Sequence, residues 1–279
     1  MPDRQFSLAH LTALECPPPE LIRVAASGGY DFVGLRTIPL GLPDEPRYSL
    51  ATNPALTRET VAALAETGVR VLDIELARVI QGVRPESYVP EMEVAAALGA
   101  TQVLSSAWSA DRGFVVDSFG TLCDLARPFG LTVNFEFVSS TEVSTLAQAV
   151  DILRAVDRTN AGLMIDTFHF FRSEVSLAEL DGLPDHWFNF VHIGDAPARR
   201  PATREEAFAT MRGARLFPGE GGSPIAELLA RLPDRVVGAI ELPHLGRLAE
   251  LGTAEYAKRC LDNTKRYLRE HSRPSVATR

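Results

Sequence analysis

The chain is predicted to fold as a single (β/α)8 barrel, the TIM-barrel form of the α/β class, over residues 1–271, followed by a mobile tail at 272–279. Two observations predict it. Eight short strand-like runs alternate with helix-like segments, the mark of repeated βα units around a parallel sheet. A length of 279 residues also suits one closed barrel of eight units. A doubly wound open sheet is disfavoured, because no glycine fingerprint follows the first strand.

In chain order, the strand candidates are 5–9, 31–36, 70–76, 102–106, 131–137, 161–166, 188–193 and 235–241. Helix candidates fall near 18–28, 57–67, 87–98, 114–129, 143–156, 175–181, 223–232 and 253–271. Pro18 and Pro19 suit a first helical turn. Leu146, Ala149, Val150 and Leu153 recur at helical spacing, as do Ala257, Cys260, Leu261, Thr264 and Leu268, so one face of each helix can cover the barrel wall. The Pro-rich stretch 39–56 and the Gly-, Arg- and Pro-rich stretch 194–222 read as long loops, which in a barrel build the active-site face. The tail from Ser272 is polar and contains Pro274.

Composition excludes several classes. The hydrophobic fraction of 46% and charged fraction of 23% are ordinary for a soluble domain. A net charge of -8 without a basic stripe argues against a nucleic-acid partner. Cys16, Cys123 and Cys260 are scattered, with no CxxC pair, which argues against a disulfide framework and fits a reducing compartment. No apolar leader and no membrane-length apolar run is present, so a cytoplasmic location is expected.

Strand alternation locates the chemistry. In 132–137, Val133, Phe135 and Phe137 share one face, which suits the helices; Thr132, Asn134 and Glu136 share the other. Glu136 therefore points into the barrel near the end of its strand. Asp166, His192 and Glu241 close the next three strands by the same rule, and Arg36 and Glu75 face inward on the second and third. One ionisable strand end is ordinarily solvated or salt-bridged. Three carboxylates converging at one mouth repel one another unless a cation or shared proton compensates. With the neutral nitrogen of His192, the set suits one divalent ion, Mn2+ first, with Mg2+, Co2+ or Zn2+ as alternatives.

At these residues the chain resembles the xylose isomerase-like TIM-barrel family. The pieces that carry the resemblance are NFEF at 134–137, DTFHF at 166–170, VHIGD at 191–195, FPGEG at 217–221 and IELPH at 240–244. The resemblance covers nearly the whole chain and implies a metal held by Glu136, Asp166, His192 and Glu241, with Glu136 and Glu241 handling protons. It implies a substrate contact for His169 and, for Glu220, a role in orienting a ligand or a neighbouring Arg. Sugar epimerases of the family often carry an Arg soon after the metal His; here Asp195 stands near that position and Arg199 slightly later. The six histidines, only two of them in matching motifs, do not supply a multi-metal nuclease site. Relatives associate as dimers or tetramers, so a homo-oligomer is expected.

Such a site makes an enolate beside the carbonyl of a hydroxy-carbonyl substrate. Returning the proton gives an isomerase or epimerase of a sugar or polyol ketone; expelling a β-hydroxyl gives a dehydratase of a cyclic keto-polyol such as a 3-dehydroshikimate- or inosose-like compound. His169, Arg215, Glu220, Arg36 and Asp195 are the candidate substrate contacts. For Arg215 the expected role is an anion clamp; for Arg36, either substrate contact or an ion pair with Glu75. Glu75 reads equally as a partner of a ligand, and His10, after the first strand, is placed to reach the mouth. Trp108, Phe168, Phe170 and Phe171 offer an apolar wall or simple packing beneath loops.

Overall fold

A computed structural model describes residues 4–42 and 45–271; the predicted tail at 272–279 lies outside them. Eight strands close into one parallel barrel in sequence order: β1 (Phe6–Leu8), β2 (Phe32–Arg36), β3 (Arg70–Val79), β4 (Gln102–Ala107), β5 (Thr132–Glu136), β6 (Ala161–Asp166), β7 (Phe190–Ile193) and β8 (Val237–Ile240). β1 pairs with β8 through Ser7 and Ala239, which completes the ring.

Helices cover the outside: α1 (Pro18–Gly28), α2 (Pro54–Thr67), α3 (Val89–Ala97), α4 (Arg112–Ala126), α5 (Leu146–Val156), α6 (Thr167–Arg172), α7 (Arg204–Gly213), α8 (Ile225–Leu229), α9 (Leu245–Leu251) and α10 (Thr253–His271). Local chemistry fixes their starts. Thr145 and Gln148 form a reciprocal capping box on α5, and Asp111 caps α4 through the Phe114 amide.

The alternation rule holds where it was applied to the second half of the barrel. Val133, Phe135, Leu163, Ile165 and Val191 join the layer between strands and helices, where Phe119 meets Phe135 edge-on at 4.9 Å. Phe32, Leu72, Leu104, Met164, Phe190 and Val237 form a separate inner cluster. That inner plug fills the barrel below the mouth, so the polar strand ends rest on an apolar floor.

Two expectations need correction, and one helix was missed. The stretch 194–222 is not all loop, since α7 lies within it. Its sequence is polar and buries only Met211, so no apolar period announces it. The helix expected at 175–181 is instead a 3-10 turn at Leu177–Leu180. The βα helix of that unit is α6, which starts at the end of β6 because Asp166 caps it. α9 was not foreseen; His244 caps it through the Arg247 amide.

Candidate metal centre

Glu136 and Asp166 end β5 and β6, His192 lies within β7, and Glu241 follows β8 directly. All four are buried and converge at the C-terminal mouth. Asp166, His192 and Glu241 offer ligand atoms within 4.8 Å of one another, and so do Glu136, Asp166 and His169, so the two groups share Asp166.

Arg215 ties two of the candidate ligands, Asp166 and Glu241, together. Its Nη1 donates to Asp166 Oδ2 at 2.8 Å and to the Glu241 carbonyl at 3.3 Å. Its Nη2 meets Glu241 Oε2 at 2.8 Å, and its Nε donates to the Met211 carbonyl at 2.9 Å. The guanidinium also lies 4.6 Å over the Phe168 ring. Asp166 Oδ1 is fixed by the Phe168 amide at 2.7 Å. The expected anion clamp is therefore corrected: Arg215, 1% exposed, is committed to two of the chain's own carboxylates.

Two donors are left over. His192 Nδ1 is buried without a hydrogen-bond partner, 3.4 Å from Glu241 Oε2 but not aligned with it. The Glu136 carboxylate faces the cavity and accepts no hydrogen bond from a described residue. Charge is also left over: three carboxylates less one guanidinium is two negative charges. The chain alone answers with protons. Burial, then Asp166 and Glu241, push Glu136 well above the usual carboxylate range. Burial acts to lower His192, but Glu241, Glu136 and Asp166 outweigh it and raise the imidazole to about 10. Burial acts to raise Glu241, but His192 and Arg215 hold it well below its ordinary value. Three oxygen donors, one unpartnered nitrogen and a deficit of two positive charges fit a divalent cation.

His169 is distinguished from His192 by its tautomer. The Ser139 amide donates to Nδ1 at 3.2 Å, and the Ser139 hydroxyl lies 2.9 Å from the same nitrogen. The ring proton therefore sits on Nε2, which lies 3.8 Å from Asp166 Oδ2 and borders the cavity. Burial lowers this imidazole to about 4, so it is neutral. A protonated Nε2 donates to oxygen and does not ligate. His192 Nδ1, without a partner, is the imidazole nitrogen of the two that is open to an ion.

A cavity of about 370 Å³ opens above these groups. Arg36, Glu75, Glu136, His169, Arg215 and Glu241 supply polar wall, and Leu76, Leu104, Trp108, Val138, Phe208 and Met211 apolar wall. α7, missed from sequence, delivers Phe208, Met211 and Arg212 to it. Of the expected contacts, Asp195 and Glu220 do not line it. Asp195 Oδ2 accepts the amides of Gly219 and Gly221 at 3.0 and 2.9 Å, which folds the PGEG loop back onto β7. A Cβ at Gly221 would collide with the Ala196 carbonyl oxygen, so the loop needs glycine there. Glu220 pairs with Arg247 at 2.9 and 3.1 Å on the exposed side of that loop.

His10 is fully engaged: Nδ1 accepts the Arg36 amide at 2.8 Å, and Nε2 donates to the Cys16 carbonyl at 2.9 Å. Burial, helped by Arg36, holds it neutral at about 4. Sequence reasoning passed over Asp73. It faces into the barrel beside β2, where a Cβ on Gly34 would stand 2.7 Å from its Oδ1. Burial, with Glu75, raises its carboxyl to about 8. Alternation already offered it, since Asp73 shares the face of Glu75 two residues on, and a glycine opposite an acid was a second signal.

A closed parallel barrel with convergent acids and an imidazole at the mouth of a cavity is the architecture of a TIM-barrel enzyme. The chain belongs to the xylose isomerase-like TIM-barrel family, whose description matches residues 22–257. An inosose isomerase of Bacillus licheniformis is 31% identical over 158 residues, covering 56% of this chain and 52% of the relative. A 3-dehydroshikimate dehydratase of Pseudomonas aeruginosa is 27% identical over 225 residues, covering 76% of this chain and 33% of the relative. The chain thus spans about half the length of the first and a third of the second. The crystal structure of the IOLI protein with a binding zinc atom superposes with a TM-score of 0.79 at 22% identity, covering 97% of this chain and 100% of that one. The relatives are isomerases and dehydratases, which matches the two reaction types expected from sequence. No described helix is long and apolar enough to cross a membrane.

Proposed function

We propose that the chain is a divalent-metal-dependent isomerase or epimerase of a polyol ketone, with Glu136, Asp166, His192 and Glu241 holding the metal. A bound divalent ion supplies a Lewis acid that polarises a substrate carbonyl and steadies the charge of its enolate. The observation that carries the reading is the Glu136 carboxylate, which faces the cavity without a hydrogen-bond partner beside a set of pinned groups. A free carboxylate at that place takes the proton next to the carbonyl and returns it. Glu241 is tied by Arg215, so its part is chiefly to hold and orient. His169 donates its Nε2 proton in a hydrogen bond to a substrate oxygen. Trp108, Phe208 and Met211 screen the site from water.

Dehydration of a cyclic keto-polyol is the second reading. It is favoured by the dehydratase relative that covers 76% of this chain and by the His169 donor, which can hydrogen-bond a departing hydroxyl. One experiment decides. The Mn2+-loaded protein is incubated with a keto-polyol panel in heavy water and followed by mass spectrometry. Deuterium entering without loss of water is the expected result; loss of water with a new ultraviolet chromophore assigns the dehydratase. Neither change with any substrate, at full metal loading, would remove the enolate reading.

A further inference from the structure

We propose that the buried Arg36–Glu75 pair is a hydroxyl-reading subsite that selects an uncharged polyol ring over a carboxylated one. The inference rests on the polyol-ketone reading of the metal centre. β2 and β3 stand opposite β6 and β7 in the ring, so the pair faces the candidate ligands across the barrel. Arg36 and Glu75 are 5% and 1% exposed and meet through one contact, Nη2 to Oε2 at 3.2 Å. Arg36 Nε and Nη1 and Glu75 Oε1 are buried with no hydrogen-bond partner. Both side chains line the cavity that also holds Glu136 and Glu241.

A buried ion pair with three open polar atoms is costly unless a ligand completes it. The open atoms are donors on one residue and an acceptor on its neighbour. A hydroxyl accepts from Arg36 and donates to Glu75 at once. A carboxylate would satisfy Arg36 but set its charge against Glu75 Oε1. The corner is also rigid, because the Arg36 amide is bound to His10 and the two residues face each other in the strand register. Arg78 does not change this balance: it donates to the Leu40 carbonyl and lies over the Trp108 ring at 5.7 Å.

The test compares myo-inositol, a neutral ring polyol, with shikimate, a ring polyol carrying a carboxylate. Binding of each to the Mn2+-loaded full chain is measured by calorimetry, with Mn2+ titrated separately. The wild-type protein is expected to prefer myo-inositol by about tenfold or more. The double variant Arg36→Met/Glu75→Leu is expected to fold, since apolar replacement of a buried pair is often neutral, and to lose the preference while still binding Mn2+. Equal binding, or tighter binding of shikimate, by the wild-type protein would assign recognition to Arg212 at the same cavity and overturn the proposal. So would an unchanged preference in the double variant, which makes the pair a structural rivet only. If the variant does not fold, the wild-type preference decides alone. Failure of the wild-type protein to bind Mn2+ is a separate result and counts against the metal centre.

Discussion

The two halves of the barrel treat buried charge in opposite ways. From β5 to β8 each strand ends at one inward ionisable group, and the sum is unbalanced, with Arg215 set against three carboxylates. From β1 to β4 the inward groups balance within the chain once Asp73, which burial and Glu75 raise to about 8, holds its proton. His10 has both ring nitrogens occupied, and Arg36 meets Glu75 one to one. The difference teaches how to read polar groups on an apolar floor. An unbalanced set calls for a cation or protons, and a balanced set with open valences calls for a neutral hydrogen-bonding ligand.

The largest expected effect comes from the unbalanced half. Glu136→Gln keeps the shape and removes the base, so kcat is expected to fall about 10²- to 10⁴-fold. Melting should change little, because the carboxylate has no hydrogen bond to lose. Steady-state kinetics and thermal unfolding on the same preparation check this. Near-native kcat would break the contrast, since Glu136 would then be only a charge in a crowded site.

How much of this was legible follows from the same contrast. Strands β5 to β8 run in register with clean alternation, so an acid or imidazole ending an apolar run told its face. β3 carries register shifts at both of its interfaces, and both Glu75 and Leu76 line the cavity wall, which strict alternation does not give; Asp73, on the face of Glu75, was legible but passed over. The roles of Arg215 and Asp195 were misjudged for another reason, whereas Glu220 meets a neighbouring Arg, Arg247, one of the two roles expected of it. Arg215 and Asp195 each lie in or contact a loop whose course is set by hydrogen bonds outside the strand pattern, to Met211 and Glu241 carbonyls for Arg215 and from Gly219 and Gly221 amides for Asp195. α7 was invisible because a polar helix over a mouth needs only a narrow apolar edge.

Arg215 sharpens the comparison next. Arg215→Met leaves two buried carboxylates without their counter-charge, and the metal-stripped protein is expected to lose about 3–5 kcal/mol. A divalent ion at a hundred times its Kd should return about 2.7 kcal/mol. Urea unfolding with and without Mn2+ reads both numbers. A loss under about 1 kcal/mol, or one that Mn2+ does not touch, would mean that the acids carry their protons whatever stands beside them.

The smallest effect separates the loop from the site it supports. Glu220 is part of the PGEG motif, yet its carboxylate faces Arg247 on the exposed side of the loop. An exposed pair contributes about 0–1 kcal/mol, so Glu220→Ala should shift stability within that range. Asp195, through the Gly219 and Gly221 amides, still holds the loop and with it the approach of Arg215. KM and kcat are therefore expected to stay within about twofold of wild type, as for surface changes away from a site. A rise in KM alone would return Glu220 to the substrate, through a loop that closes further than it does here, whereas a fall in both kcat and metal affinity would show that Arg247 braces the ligand set through this carboxylate.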